Sequence, residues 1–70
     1  MIKGYSKLHE NEKDLFKRVY NHHLASMGIE QKKLHSIENI KEVKANYEER
    51  CIEVHYKHEW YKYHPDLTWS

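Results

Sequence analysis

Cysteine and proline each occur once, and glycine twice, in a chain of seventy residues. One cysteine excludes an internal disulfide, and a lone free thiol fits a reducing compartment. With so little glycine and proline there is no flexible linker and no glycine-rich phosphate loop. No stretch approaches the ~20 consecutive apolar residues that span a bilayer. The opening Met1-Ile2-Lys3-Gly4-Tyr5-Ser6 lacks the apolar core of a secretory signal. Net charge is missing too: twelve Lys and Arg against eleven Asp and Glu give a formal +1. Nothing therefore pulls the whole molecule toward nucleic acid or an anionic membrane. These absences predict a soluble, cytoplasmic protein with no membrane partner.

What the chain does contain argues for a fold. Aromatics reach 13%, with six Tyr and two Trp, and that apolar payload excludes disorder despite 33% charged residues. A chain this short supports one core, so residues 1–70 are read as a single small α+β domain. Residues 6–28 read as one amphipathic helix. Leu8, Leu15, Phe16, Val19, Tyr20, His23, Leu24 and Met27 recur at three- and four-residue spacing, which gathers them on one face. Ser6, or Asn11 with Asp14 three residues on, is placed to cap its start. Glu10, Glu12 and Asp14 come early and Lys17, Arg18, His22 and His23 late, an order that suits the helix dipole. Gly28 is read as a left-handed stop. Residues 29–39 fit a short second helix or a turn-rich connector, with Leu34, Ile37 and Ile40 three apart.

From Ile40 the period becomes two. Val43, Ala45 and Tyr47 alternate with polar residues, as do Ile52, Val54 and Tyr56, and then Trp60-Tyr61-Lys62-Tyr63 follows. This predicts a three-stranded antiparallel meander. Two-residue turns at Glu49-Arg50 and His58-Glu59 set Tyr47 opposite Ile52, Val43 opposite Tyr56 and Tyr56 opposite Tyr61. All the apolar residues then share one face, which the helix covers. Leu67 and Trp69 are expected to fold back and close one end of the core. Cys51 reads as a small strand residue, since no thiolate-stabilising neighbour is evident. His23 falls within the apolar face and reads as a neutral core histidine bonded to a tyrosine or a backbone carbonyl, its pKa lowered by burial.

The opposite sheet face carries Glu42, Lys44, Asn46, Glu53, His55, Lys57, Trp60, Lys62 and His64. The plain reading of such a face is solvated charge pairing. Trp60 is the exception, because a large aromatic on an open polar face marks a contact site. The leading functional reading is a non-enzymatic interaction module. It binds a partner protein or a second copy through this face and through sheet edges at Val43 to Tyr47 and Trp60 to Tyr63. The surface named for that role is Trp60, His55, Lys62, Lys57 and Lys44. The alternative is single-stranded nucleic acid, with the lysines tracking phosphates and Trp60 stacking a base. No cofactor is expected. The weak metal candidates are His55, His64 and Glu53, imidazole and carboxylate groups sharing one face. Catalysis has no support: no nucleophile and base stand in a usable order, and Glu48-Glu49 sit solvated at a hairpin tip.

The run Cys51-Ile52-Glu53-Val54-His55-Tyr56, followed by Trp60-Tyr61-Lys62-Tyr63, resembles the strand pair of the KTSC family of small bacterial modules. The likeness covers under half the chain. The glycine expected between those strands is missing and the spacing is shorter, so no role is carried over. In length, composition and lack of a catalytic motif the chain resembles the small accessory proteins of bacteria and their phages.

Overall fold

Helix α1 (Glu10–Ala25) is shorter than its apolar stripe, because the stripe begins outside it. Tyr5–Lys7 form a 3₁₀ turn, and Leu8 is buried in extended backbone just beyond it. The helix starts at His9, not at Ser6 or Asn11: the Glu12 carboxylate accepts the His9 N–H at 2.7 Å, the carboxylate half of a capping box. At the far end Ser26 donates its hydroxyl to the His23 carbonyl at 2.7 Å and closes the last turn. Gly28 is not a left-handed stop. Its backbone is extended, at φ −75° and ψ 173°, and it leads into helix α2 (Ile29–Leu34). A second 3₁₀ turn, Ile37–Asn39, completes the connector. The computed structural model describes residues 2–70.

Strands β1 (Ile40–Asn46), β2 (Cys51–Tyr56) and β3 (Trp60–Tyr63) form the antiparallel sheet in the order β1-β2-β3. The faces are as the alternation requires, but both hairpins are offset by two residues from the expected pairing. Val43 faces Val54 and Ala45 faces Ile52, so the first connection is a four-residue turn over residues 47–50. The Asn46 side chain accepts the Glu49 N–H at 3.1 Å, and Arg50 takes a left-handed φ of 54°. Val54 faces Tyr61 and Ile52 faces Tyr63. The second turn therefore centres on Lys57-His58, closed by the Tyr56 N–H on the Glu59 carbonyl at 2.7 Å. A slip of two residues preserves side-chain facing where a slip of one would invert it. Tyr47 is the casualty. It lies in the turn and is 69% exposed. A bulge between Ile40 and Glu42 explains how Ile40 and Val43, an odd number apart, are both buried.

The core forms where α1 crosses the sheet. Phe16, Val19 and Tyr20 of the helix meet Val43, Ile52, Val54, Tyr56 and Tyr63, with Leu8 and Ile40 at the margins. Phe16 stacks between Tyr20 and Tyr63, with ring centroids 5.8 and 6.0 Å away. Leu67 and Trp69 pack against this cluster, as the sequence predicts. Of the connector's three-spaced set only Ile40 is buried; Leu34 and Ile37 are exposed.

Neither sheet edge is free along its length, contrary to the expectation of two open edges. The Val43 N–H donates to the Lys3 carbonyl at 2.9 Å, so the N-terminal segment runs beside β1. On the other side the chain reverses at Pro65-Asp66 and returns along β3. Lys62 and Ser70 exchange two backbone bonds, at 3.0 and 3.1 Å, and His64 N–H reaches the Thr68 carbonyl at 2.8 Å. Leu67 sits at φ 68° in that reversal, braced by the Asp66 carboxylate, which accepts from both the Thr68 amide and its hydroxyl.

Candidate functional site

Two groupings of polar side chains stand out, one on each side of the sheet. On the outer face the pairing sets His55 beside Trp60, Glu53 beside Lys62 and Lys44 beside Glu53. The Trp60 indole is 50% exposed yet held in place. It lies flat on the His55 ring, centroids 5.1 Å apart and planes 6° from parallel. The Lys62 ammonium is 5.9 Å from the indole centre. It also pairs with the Glu49 carboxylate at 2.7 Å. Asn46 donates to both Glu49 and Glu53, and His55 Nε2 is 3.3 Å from Glu53. The hydrogen bond from His55 and that from Asn46 hold the Glu53 carboxyl below its usual range, and Lys62 does the same for Glu49.

The expected surface residues therefore come together in part. Trp60, His55, Lys62 and Lys44 share the face. Lys57 leaves it at the turn, where its amide donates to the Asn39 carbonyl at 2.9 Å. The expected metal trio does not assemble: His55 and Glu53 touch, but His64 turns to the Ser70 hydroxyl at 2.8 Å. Cys51 is buried beside Asn46 near the charges of Glu49, Lys62 and Glu53, and burial pushes its thiol up, away from reactivity.

On the helix side the polar groups are internal. His23, 3% exposed, takes the role read from the sequence: its Nδ1 and the Tyr63 hydroxyl share a hydrogen bond at 2.9 Å, and Tyr63 bonds Tyr56 at 2.8 Å. Burial, then the neighbouring His35, lowers the His23 pKa to about 4. Burial raises Tyr56 to about 12 and carries Tyr63 in the same direction.

His35 is the residue that sequence reasoning missed. It follows α2 in a polar stretch, yet it is 1% exposed. Its Nδ1 meets the Gln31 carbonyl at 2.8 Å and its Nε2 meets the Glu59 carboxylate at 2.8 Å. Its own carbonyl accepts the Tyr20 hydroxyl at 2.9 Å. Glu59 also accepts the Tyr61 hydroxyl at 2.6 Å, and His58 Nε2 lies 3.4 Å from the same oxygen. Tyr61 first, then His35, holds the Glu59 carboxyl below its ordinary value. Nothing in the sequence signalled it: the three-spaced Leu34, Ile37 and Ile40 marked other positions as the connector's apolar set, and the structure exposes two of those three while burying His35.

A cleft of about 480 Å³ lies between the N-terminal segment and α1 and is lined by Ile2, Tyr5, Phe16, Tyr20 and Ile37, with Lys17 and Asn21 at its polar side. It holds no pair of titratable groups suited to acid–base work. Among the described residues no helix is long and apolar enough to cross a membrane. No family model matches the chain, and neither a curated protein nor a solved structure is significantly similar to it. The likeness to the KTSC strand pair thus reduces to alternating aromatics, which many hairpins share.

Proposed function

We propose that this domain is a non-enzymatic interaction module whose contact face is the outer surface of the sheet, centred on Trp60. The observation that carries this reading is the stacked pair: Trp60 is half exposed yet fixed on His55. A rigid aromatic pays little ordering entropy on contact and supplies the apolar area typical of an interface anchor. Around it, Glu49–Lys62 and Glu53–His55 form a polar rim of local pairs. Such a rim gives a protein surface specificity without a strong field of either sign.

Single-stranded nucleic acid is the second reading, favoured only by the exposed indole. Its phosphate-tracking lysines are compromised. Lys62 is neutralised by Glu49, Lys44 sits beside Glu53, and Lys57 is at the turn. With the edges largely covered, the face itself is the contact surface for a partner protein or a second copy.

Light scattering during size exclusion, over a range of concentrations, tests self-contact directly. Photo-cross-linking from position 44 in a cell extract tests a different partner. Trp60→Ala should weaken the contact by about thirtyfold, the loss typical of an anchor worth ~2 kcal/mol. Unchanged association and an unchanged cross-link pattern in Trp60→Ala would overturn the assignment. Oligonucleotide binding that collapses steeply with salt would transfer the face to the second reading.

A further inference from the structure

The His35, His58 and Glu59 side chains meet where the connector touches the second hairpin, apart from the outer face. We infer that these three residues form a binding site for a divalent first-row metal ion of zinc type. Their donor atoms, one from each side chain, all lie within 4.8 Å of one another. Nε2 of His35 is 2.8 Å and Nε2 of His58 is 3.4 Å from the same Glu59 oxygen. A tetrahedral ion about 2.0–2.1 Å from each donor requires donors about 3.3 Å apart. Small movements of the two partly exposed side chains, His58 and Glu59, bring the trio to that spacing.

The hydrogen bonds of His35 supply an independent argument. A backbone carbonyl only accepts, so Nδ1 must carry the proton it gives to Gln31. That bond fixes the ring as the outer partner of a metal-ligating histidine does, with Nε2 aimed at the site. Nε2 faces a carboxylate oxygen that already accepts from Tyr61. Two acceptors facing each other need a positive centre between them: at 2.8 Å a shared proton, which a metal ion replaces once the pair opens to about 3.3 Å. Glu59 is oriented by the Tyr61 hydroxyl in the same supporting role.

The backbone is pinned on both sides of the trio. The Tyr20 hydroxyl holds the His35 carbonyl, and Lys57 N–H holds the turn to Asn39 in the connector. A site built on fixed backbone pre-orders its ligands and binds with less reorganisation. Two imidazoles and one carboxylate suit zinc and its neighbours better than calcium or magnesium, which prefer all-oxygen shells. Because His58 and Glu59 reach solvent, a fourth position is left for water.

The test uses the whole chain, stripped with chelator and desalted, with Zn²⁺ and Co²⁺ as probes. One equivalent of Co²⁺ should develop the visible absorption of a four- or five-coordinate site. Zn²⁺ at a hundredfold excess over Kd should raise Tm by about 15–20 °C. His58→Asn alters a partly exposed side chain and should fold while losing both responses, as should Glu59→Gln. His55→Asn and His64→Asn should keep them. The inference is overturned if micromolar Zn²⁺ and Co²⁺ give neither response. It is equally overturned if the responses survive in His58→Asn or vanish in His64→Asn.

Discussion

At the scale of single residues, one hydroxyl, that of Tyr63, links two other buried side chains. The Tyr63 ring is fully buried and its hydroxyl stands between Tyr56 and His23. Removing that hydroxyl leaves the His23 Nδ1 and the Tyr56 hydroxyl without their partner, both away from water. Tyr63→Phe should therefore lower stability by about 1–3 kcal/mol, the cost of stranding buried polar groups rather than the smaller net worth of one bond. Urea unfolding measures it. Tyr47→Phe, at an exposed turn position, should change the midpoint hardly at all. Equal effects from the two substitutions would show that the internal hydroxyl chain contributes nothing special.

At the scale of elements, the edges of the sheet depend on the two ends of the described chain. Gly4 holds a left-handed φ of 86° so that Lys3 can reach Val43, and a Cβ there would collide with the Val43 carbonyl oxygen. Gly4→Ala combines the left-handed penalty of about 1–2 kcal/mol with displacement of that edge cover, so a loss of ~2 kcal/mol or more is expected. Faster hydrogen exchange at the Val43 amide should accompany it. Gly28 is the control: its backbone is extended and a Cβ meets nothing, so Gly28→Ala should be neutral or slightly stabilising. A silent Gly4→Ala would mean that the N-terminal strap does not guard β1. The glycines look alike in sequence, and only their neighbours in space separate them.

At the scale of the whole molecule, the internal histidine couples stability to pH. Above about pH 6.5 the His23 ring is neutral in both the folded and unfolded chain. Between that value and about 4, where its folded pKa lies, the unfolded chain binds a proton that the folded one refuses. Stability must fall as pH drops through this window, by about 3 kcal/mol for a shift of this size, and His23 adds no further loss below it. The paired carboxylates Glu49, Glu53 and Glu59, with Asp66, have lowered pKa values and lose their contribution at still lower pH. Urea midpoints from pH 7.5 to 4.5, with chelator present, should fall for the native chain and fall less for His23→Gln. A flat profile over that range would show that His23 is protonated in the fold without penalty.

The element order and the division of faces were written in the local pattern. A spacing of three and four gathers Phe16, Val19, Tyr20 and His23 on a helix, and a spacing of two sorts Val54 and Tyr56 from Glu53 and His55, wherever those elements dock. The wet indole of Trp60 followed from the same alternation. Pairing register was not legible, because a shift of two residues leaves every face intact and only turn geometry selects between the alternatives. Nor was the meeting of His35 with His58 and Glu59, or the backbone pairing of the two terminal segments with the sheet edges, although the return of Leu67 and Trp69 to the core was. Periodicity describes which side of an element is apolar. Which polar groups converge depends on contacts between residues as far apart as His35 and Glu59, and those exist only after the helix, connector and hairpin have packed.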